Sequence, residues 1–169
     1  MGIAANQARL MTLTARQNDL ELKAQQISAI KMRLSQTSST TATNYSNALA
    51  NYSKLNSAQM MAEKYPNGCF TINKDGSFSM TDTGTPANEL VNAVAAQIGA
   101  TGTFSTANEY LTIQQGLYNT ETDRISAQEK VYDMELTEVN TEHDAIKTEY
   151  DAIKTLIGDN VEKSFNVFG

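Results

Sequence analysis

His143 is the single histidine of the chain and stands between Glu142 and Asp144, so the residue types of a general base or a metal ligand lie side by side. Either role needs further donors converging on the imidazole from elsewhere in the fold. His143 also falls on a repeating apolar seam, where a polar residue sets helix register, and that reading outweighs a ligand or catalytic one. Cys69, the single cysteine, has no second histidine to activate it, and its alternating apolar context predicts a small buried thiol. Asn73, Asp75, Ser77 and Asp82 around Gly76 echo a calcium loop. Its first ligand position is taken by Thr71 and its last by Asp82 in place of Glu, so a hairpin turn explains the pattern better. The row Glu135, Glu138, Glu142, Glu149 and Asp151 could supply paired catalytic carboxylates only inside a cleft; on a coiled coil it is a solvated flank, or the partner of Lys and Arg from another helix. No cluster announces a reaction. The sequence therefore assigns no catalytic, cofactor or metal site, and an enzyme is not expected.

The elements that hold these residues are read from periodicity. Leu111, Tyr118, Ile125, Tyr132, Val139, Ile146 and Ile153 recur every seven positions, and Leu136, His143, Tyr150 and Ile157 form a second set. Together they make the seam of a long coiled-coil helix, which cannot stand alone because its stripe must be buried against a partner. Asp-Ala-Ile-Lys-Thr occurs twice, at 144–148 and 151–155, one heptad apart. At the other end, Leu13, Leu20, Ile27 and Leu34 are again seven apart, with Leu10, Ala24 and Ile30 on the same face. Neither Gly nor Pro interrupts residues 3–65, so this segment too is helical. Its hydroxyl-rich stretch 35–44 competes for backbone hydrogen bonds and predicts a break near 36–43. The pattern resumes at Tyr45, Ala48, Leu49, Tyr52 and Leu55, and stops at Pro66, Asn67 and Gly68.

Between the helices the periodicity changes to two. Cys69–Ile72 and Ser77–Met80 alternate around Asn73-Lys74-Asp75-Gly76, which predicts a β-hairpin with Phe70, Ile72, Phe78 and Met80 on one face. A short helix over 87–98 follows, with Thr85 as its cap, Pro86 at its first position and Glu89 in its first turn, and its Leu90, Val91, Val94, Ala95 and Ile98 are expected to cover the hairpin. Ser105 or Thr106 should start the last helix, which Gly116 weakens and Gly158 interrupts. The expected division is thus 1–65 for the N-terminal helices, 66–104 for the insert and 105–169 for the C-terminal helix with an apolar tail. The fold class is mainly α, an elongated antiparallel helical hairpin or coiled coil with a small β-hairpin and short-helix insert. At about 1.5 Å per residue, a helix over 105–157 spans about 80 Å and the two N-terminal segments together about 75 Å, so the lengths match.

Charge supports the antiparallel pairing. Residues 1–65 hold seven Lys/Arg against three Asp/Glu, a net of +4, while residues 119–169 hold five against twelve, a net of -7. The acidic total without a basic run argues against a nucleic-acid partner. One cysteine excludes an internal disulfide. No stretch reads as a membrane span or a cleavable signal, and the N-terminal Met-Gly-Ile-Ala-Ala-Asn lacks the Ser or Thr of the myristoylation pattern. The expected locations are the cytoplasm, or the exterior by export independent of a signal peptide.

Arg33-Leu34-Ser35 followed by the Ser/Thr-rich stretch resembles the segment after the first helix of flagellin. Paired terminal helices around a smaller insert are similar to the plan of flagellin-like and other exported filament subunits of bacteria. The chain departs from that pattern in ending Ser164-Phe165-Asn166-Val167-Phe168-Gly169, without the usual Asn and Leu run. The resemblance implies a structural protein that assembles with copies of itself; the alternative is a soluble coiled-coil adaptor or chaperone for another helical protein. The residues expected at such contacts are Ile3, Leu10, Leu13, Leu20, Ile27, Leu34, Ile146, Ile153, Ile157, Phe165 and Phe168, with Met11, Met32, Met60, Met61 and Val161 as apolar surplus.

Overall fold

The computed structural model describes residues 3–100 and 102–167, with side chains described for 4–100 and 102–163. The fold is mainly α: helix α1 (Ile3–Lys64), strands β1 (Cys69–Ile72), β2 (Phe78–Met80) and β3 (Thr85–Pro86), a 3-10 turn over Ala87–Glu89, helix α2 (Leu90–Gln97) and helix α3 (Ala107–Val167). Contacts group the chain into two compact units. One holds the chain up to Gln36 together with Ile125 onward, and the other holds Thr37–Arg124. The insert is therefore not a body of its own, because it shares its unit with the later part of α1 and the earlier part of α3.

The expected break at 36–43 is absent, and α1 is one helix of 62 residues. Two physical reasons account for this. The Thr43 hydroxyl donates to the Ser39 carbonyl at 3.0 Å, a bond made within the helix that does not compete for the ladder. The heptad phase also runs through: Leu34, Thr41, Ala48 and Leu55 are seven apart, and all but the half-buried Thr41 are buried. Helix α3 likewise continues through Gly116 and past Gly158, where an interruption was expected. Its start follows the capping signal in the sequence. Thr106 Oγ1 accepts from the Glu109 N–H at 3.2 Å, and Glu109 Oε2 accepts from the Thr106 N–H at 3.3 Å, a reciprocal capping box.

In the unit of residues up to 36 and from 125, α1 and α3 pair antiparallel. Leu13, Leu20 and Ile27 bury against Val139, Ile146 and Ile153, with Leu10, Ala24, Tyr132, Leu136, Tyr150 and Ile157 packed around them. Arg9 pairs with Glu149, Arg16 with Glu142 and Lys31 with Asp133. The Arg9 and Arg16 Nε atoms donate to those carboxylates at 2.7 and 2.9 Å. These pairs are solvent-exposed, so each contributes only about 0.2–1 kcal/mol. Their larger role is orientation: as α1 advances from Arg9 to Lys31, its partners retreat from Glu149 to Asp133, which a parallel pairing would not allow.

The unit of residues 37–124 has a separate core. Leu55, Phe70 and Leu90 are fully enclosed, joined by Ala48, Ala58, Ala87, Val94, Ala107 and Tyr110. The hairpin has the expected register, with Phe70 opposite Met80 and Ile72 opposite Phe78. Its turn closes through Asn73 N–H to the Ser77 carbonyl at 2.9 Å, with Gly76 at φ +83°. Of the four residues expected on the inner face, Phe70 is buried, Ile72 and Phe78 are half-buried and Met80 is exposed.

A third strand was not expected. Thr85 and Pro86 pair with β1 opposite Phe70 and Cys69, so Thr85 does not cap the following helix and the sheet order is β2-β1-β3. Proline tolerates this place because β3 is an edge strand. Gly84 makes the approach possible, since a Cβ there would meet the Phe70 carbonyl oxygen at 2.4 Å.

Candidate functional site

His143 is about one third exposed on the α1–α3 pair and faces Glu21 across it. Its Nε2 lies 3.7 Å from Glu21 Oε1 and its Nδ1 lies 3.7 Å from Asp144 Oδ1, both beyond hydrogen-bonding reach. Among the described residues no group of three or more His, Cys, Asp or Glu comes together as a metal site would require. His143→Leu is expected to hold or raise the melting temperature, by about 2–4 °C if the gain reaches about 1 kcal/mol, because an apolar seam residue replaces a polar one. Thermal melts of the two proteins check this, and stoichiometric zinc uptake that vanishes in the variant would count against the seam role.

Cys69 is half-buried rather than enclosed, the first residue of β1. Three of the residues that echo a calcium loop, Asn73, Asp75 and Ser77, satisfy one another. Asp75 Oδ1 accepts from the Ser77 N–H at 3.0 Å and from its hydroxyl at 2.7 Å, and Asn73 Nδ2 donates to Ser77 Oγ and Ser79 Oγ at 2.8 and 3.0 Å. The Ser77 N–H, and then its hydroxyl, hold the Asp75 carboxyl below the ordinary carboxylate range. This is an Asx turn closing the hairpin. The carboxylate row on α3 splits by function: Glu142 and Glu149 hold Arg16 and Arg9, while Glu138 stands exposed on the outer face. Further along, Arg124 holds Glu121 below its ordinary range through a side-chain hydrogen bond.

Two of the cavities within the 37–124 unit are lined by aromatic or apolar side chains together with charged ones. One, of about 230 Å³, is walled by the stacked rings of Tyr45 and Tyr118, 4.6 Å apart, with Thr41, Asn44, Gln114 and Glu121 around them. The other, of about 180 Å³, has Ile72, Phe78, Val94 and Ile98 as its floor and Lys54 and Lys74 at its edge. Neither places a nucleophile beside a base.

Of the residues expected at contacts between copies, Leu13, Leu20, Ile27, Leu34, Ile146 and Ile153 are buried and Leu10 and Ile157 half-buried within the chain itself. All but Leu34 belong to the internal seam cluster, and Leu34 is itself buried, so they are not free for a second molecule. Met61 is likewise packed against the other core. The side chains of Ile3, Phe165 and Phe168 lie outside the described residues. Free apolar surface is instead found on the opposite faces of the same helices. On α1 the run Met11, Ala15, Asn18, Leu22, Gln25, Ala29 and Met32 is exposed throughout and carries no charge. Its 4-3 spacing is that of a second seam. On α3 the run Ala127, Val131, Met134, Glu138, Thr141, Ala145, Thr148 and Ala152 has the same spacing and is also exposed, with one charge on it. The sequence shows only Met11 and Met32, the ends of the first run, because alanine, threonine and amide side chains do not stand out beside the stronger Leu/Ile seam.

The class defined by this geometry is a mainly α helical-hairpin protein whose two long helices each bear a second, outward 4-3 stripe. No family model, curated protein or solved structure matches the chain.

Proposed function

We propose that the chain is a structural or assembly protein that associates with copies of itself through its terminal helices, an exported filament-type subunit being the form suggested by the flagellin-like resemblance. One observation carries this reading: Met11, Leu22 and Met32 are 76 %, 55 % and 75 % exposed on a charge-free helix face directed away from the seam. Large apolar side chains aligned on one face mark an interface, whereas scattered ones do not. No helix of the described residues is long and apolar enough to cross a membrane, so a membrane span does not explain the stripe.

A second reading has its own observation. The outer face of α3 sets Met134 and Ala145 among Asp133, Glu138 and Glu142, which suits a basic amphipathic helix of another protein, as in an adaptor or chaperone. Mass measured by sedimentation equilibrium across a hundredfold concentration range separates the two. Self-association that grows with concentration supports assembly, and a monomer throughout supports the adaptor.

A further inference from the structure

We infer that the outer stripe of α1 docks antiparallel against the same stripe of a second copy, forming a two-fold pair with Leu22 near the axis; this rests on the assembly reading above and names its contact. Three features single out a second α1 as the occupant. First, the stripe has the same order in both directions: Met11 and Met32 at its ends, Ala15 and Ala29 next, the amides Asn18 and Gln25 inside them, and Leu22 at the centre. A two-fold contact presents one surface to itself, so an antiparallel pair brings like sizes to like depths and sets Asn18 of one copy near Gln25 of the other. Paired amides in an apolar seam fix register.

Second, part of the rim is cheap to desolvate, while Asp19, Glu21 and Arg33 on the same rim stay at its solvent edge. Thr12, Thr14 and Ser28 beside the stripe donate their hydroxyls to the carbonyls of Ala8, Leu10 and Ala24 at 3.1, 2.9 and 2.9 Å, so none needs water. Third, charge disfavours the obvious rival. The stripe of α3 contains Glu138 and is bordered by Glu135, Glu142, Asp144, Glu149 and Asp151, so two α3 faces repel. Three of the basic residues of α1, Arg9, Arg16 and Lys31, are already held by Glu149, Glu142 and Asp133 of the same chain. Opposed macrodipoles add to the antiparallel choice.

The test uses the full chain in a Cys69→Ser background. Leu22→Lys is expected to raise the dimer dissociation constant at least about tenfold without changing helix content, because Leu22 is exposed in the single chain. Leu22→Cys should join two chains efficiently through a short bismaleimide, since packed helix axes lie about 8–10 Å apart. Met11→Cys alone should not, because an antiparallel pair holds its two copies about 30 Å apart at about 1.5 Å per residue. Cross-linking of both single-cysteine proteins would mean a parallel pair and overturn the proposal. An oligomer that neither Leu22→Lys nor cross-linking detects would overturn this contact and leave the assembly reading standing. A wild-type chain that stays monomeric, whether or not it sediments with lipid vesicles, would overturn both.

Discussion

Phe70→Ala is expected to cost about 3–5 kcal/mol, a large part of the stability a domain of this size possesses. Phe70 is wholly enclosed on β1, the central strand of the small sheet, and packs in one cluster with Leu55, Ala58, Leu90 and Val94. Removing the ring leaves a void whose walls come from α1, α2 and the sheet, and the wall behind β1 cannot follow inward. Gly84 lies so close behind β1 that even a Cβ there would collide with the Phe70 carbonyl, and the Ala87 N–H is bonded to the Gly68 carbonyl at 3.0 Å. The cavity therefore stays open and its full cost is felt. Urea unfolding followed by far-ultraviolet circular dichroism measures the change. A loss below about 1 kcal/mol would mean that the sheet is not anchored through this ring.

Much of this fold was legible because two periodicities coexist in the sequence. The sevenfold recurrence of Leu13, Leu20 and Ile27 and of Val139, Ile146 and Ile153 marks the faces that meet, and the opposite charges of the two ends give the antiparallel sense later seen in the Arg9–Glu149 and Arg16–Glu142 pairs. The hairpin was equally clear, since Asn-Lys-Asp-Gly closes the turn around Gly76. What failed was local propensity read without phase. The Ser/Thr stretch looked like a break, yet Leu34, Thr41, Ala48 and Leu55 keep one heptad through it, and tertiary packing of that face overrides weak helix formers. Strand β3 was missed because two residues, one of them proline, carry no alternation; its signal was Gly84, the one residue type that lets a backbone come so close to β1. The candidate site was the least legible part. The strong Leu/Ile positions expected to face other molecules are spent inside the chain, and the free faces are built from Met, Ala and amides that composition alone does not flag.

That division of faces has a direct mutational consequence. Ile27→Asp is expected to cost roughly 4 kcal/mol or more, while Met32→Asp, five residues away on the same helix, should change folding by less than about 0.5 kcal/mol. Ile27 is 3 % exposed within the seam cluster formed with Leu20 and Val139, whereas Met32 is 75 % exposed on the opposite face. Burial of an isoleucine contributes about 1.5–3 kcal/mol, and a carboxylate in its place must also leave water for a seam whose other helix is acidic. The energetic asymmetry between the two positions follows from helix phase alone, since the added charge is the same. Denaturant midpoints at low protein concentration, where only the single chain is folded, isolate this effect. Equal losses at the two positions would show that α1 is buried all round, and equal tolerance would show that the internal seam does not hold the hairpin together. Met32→Asp has a second expected result, at high concentration: a smaller oligomer than wild type, because the face it alters is the one left free.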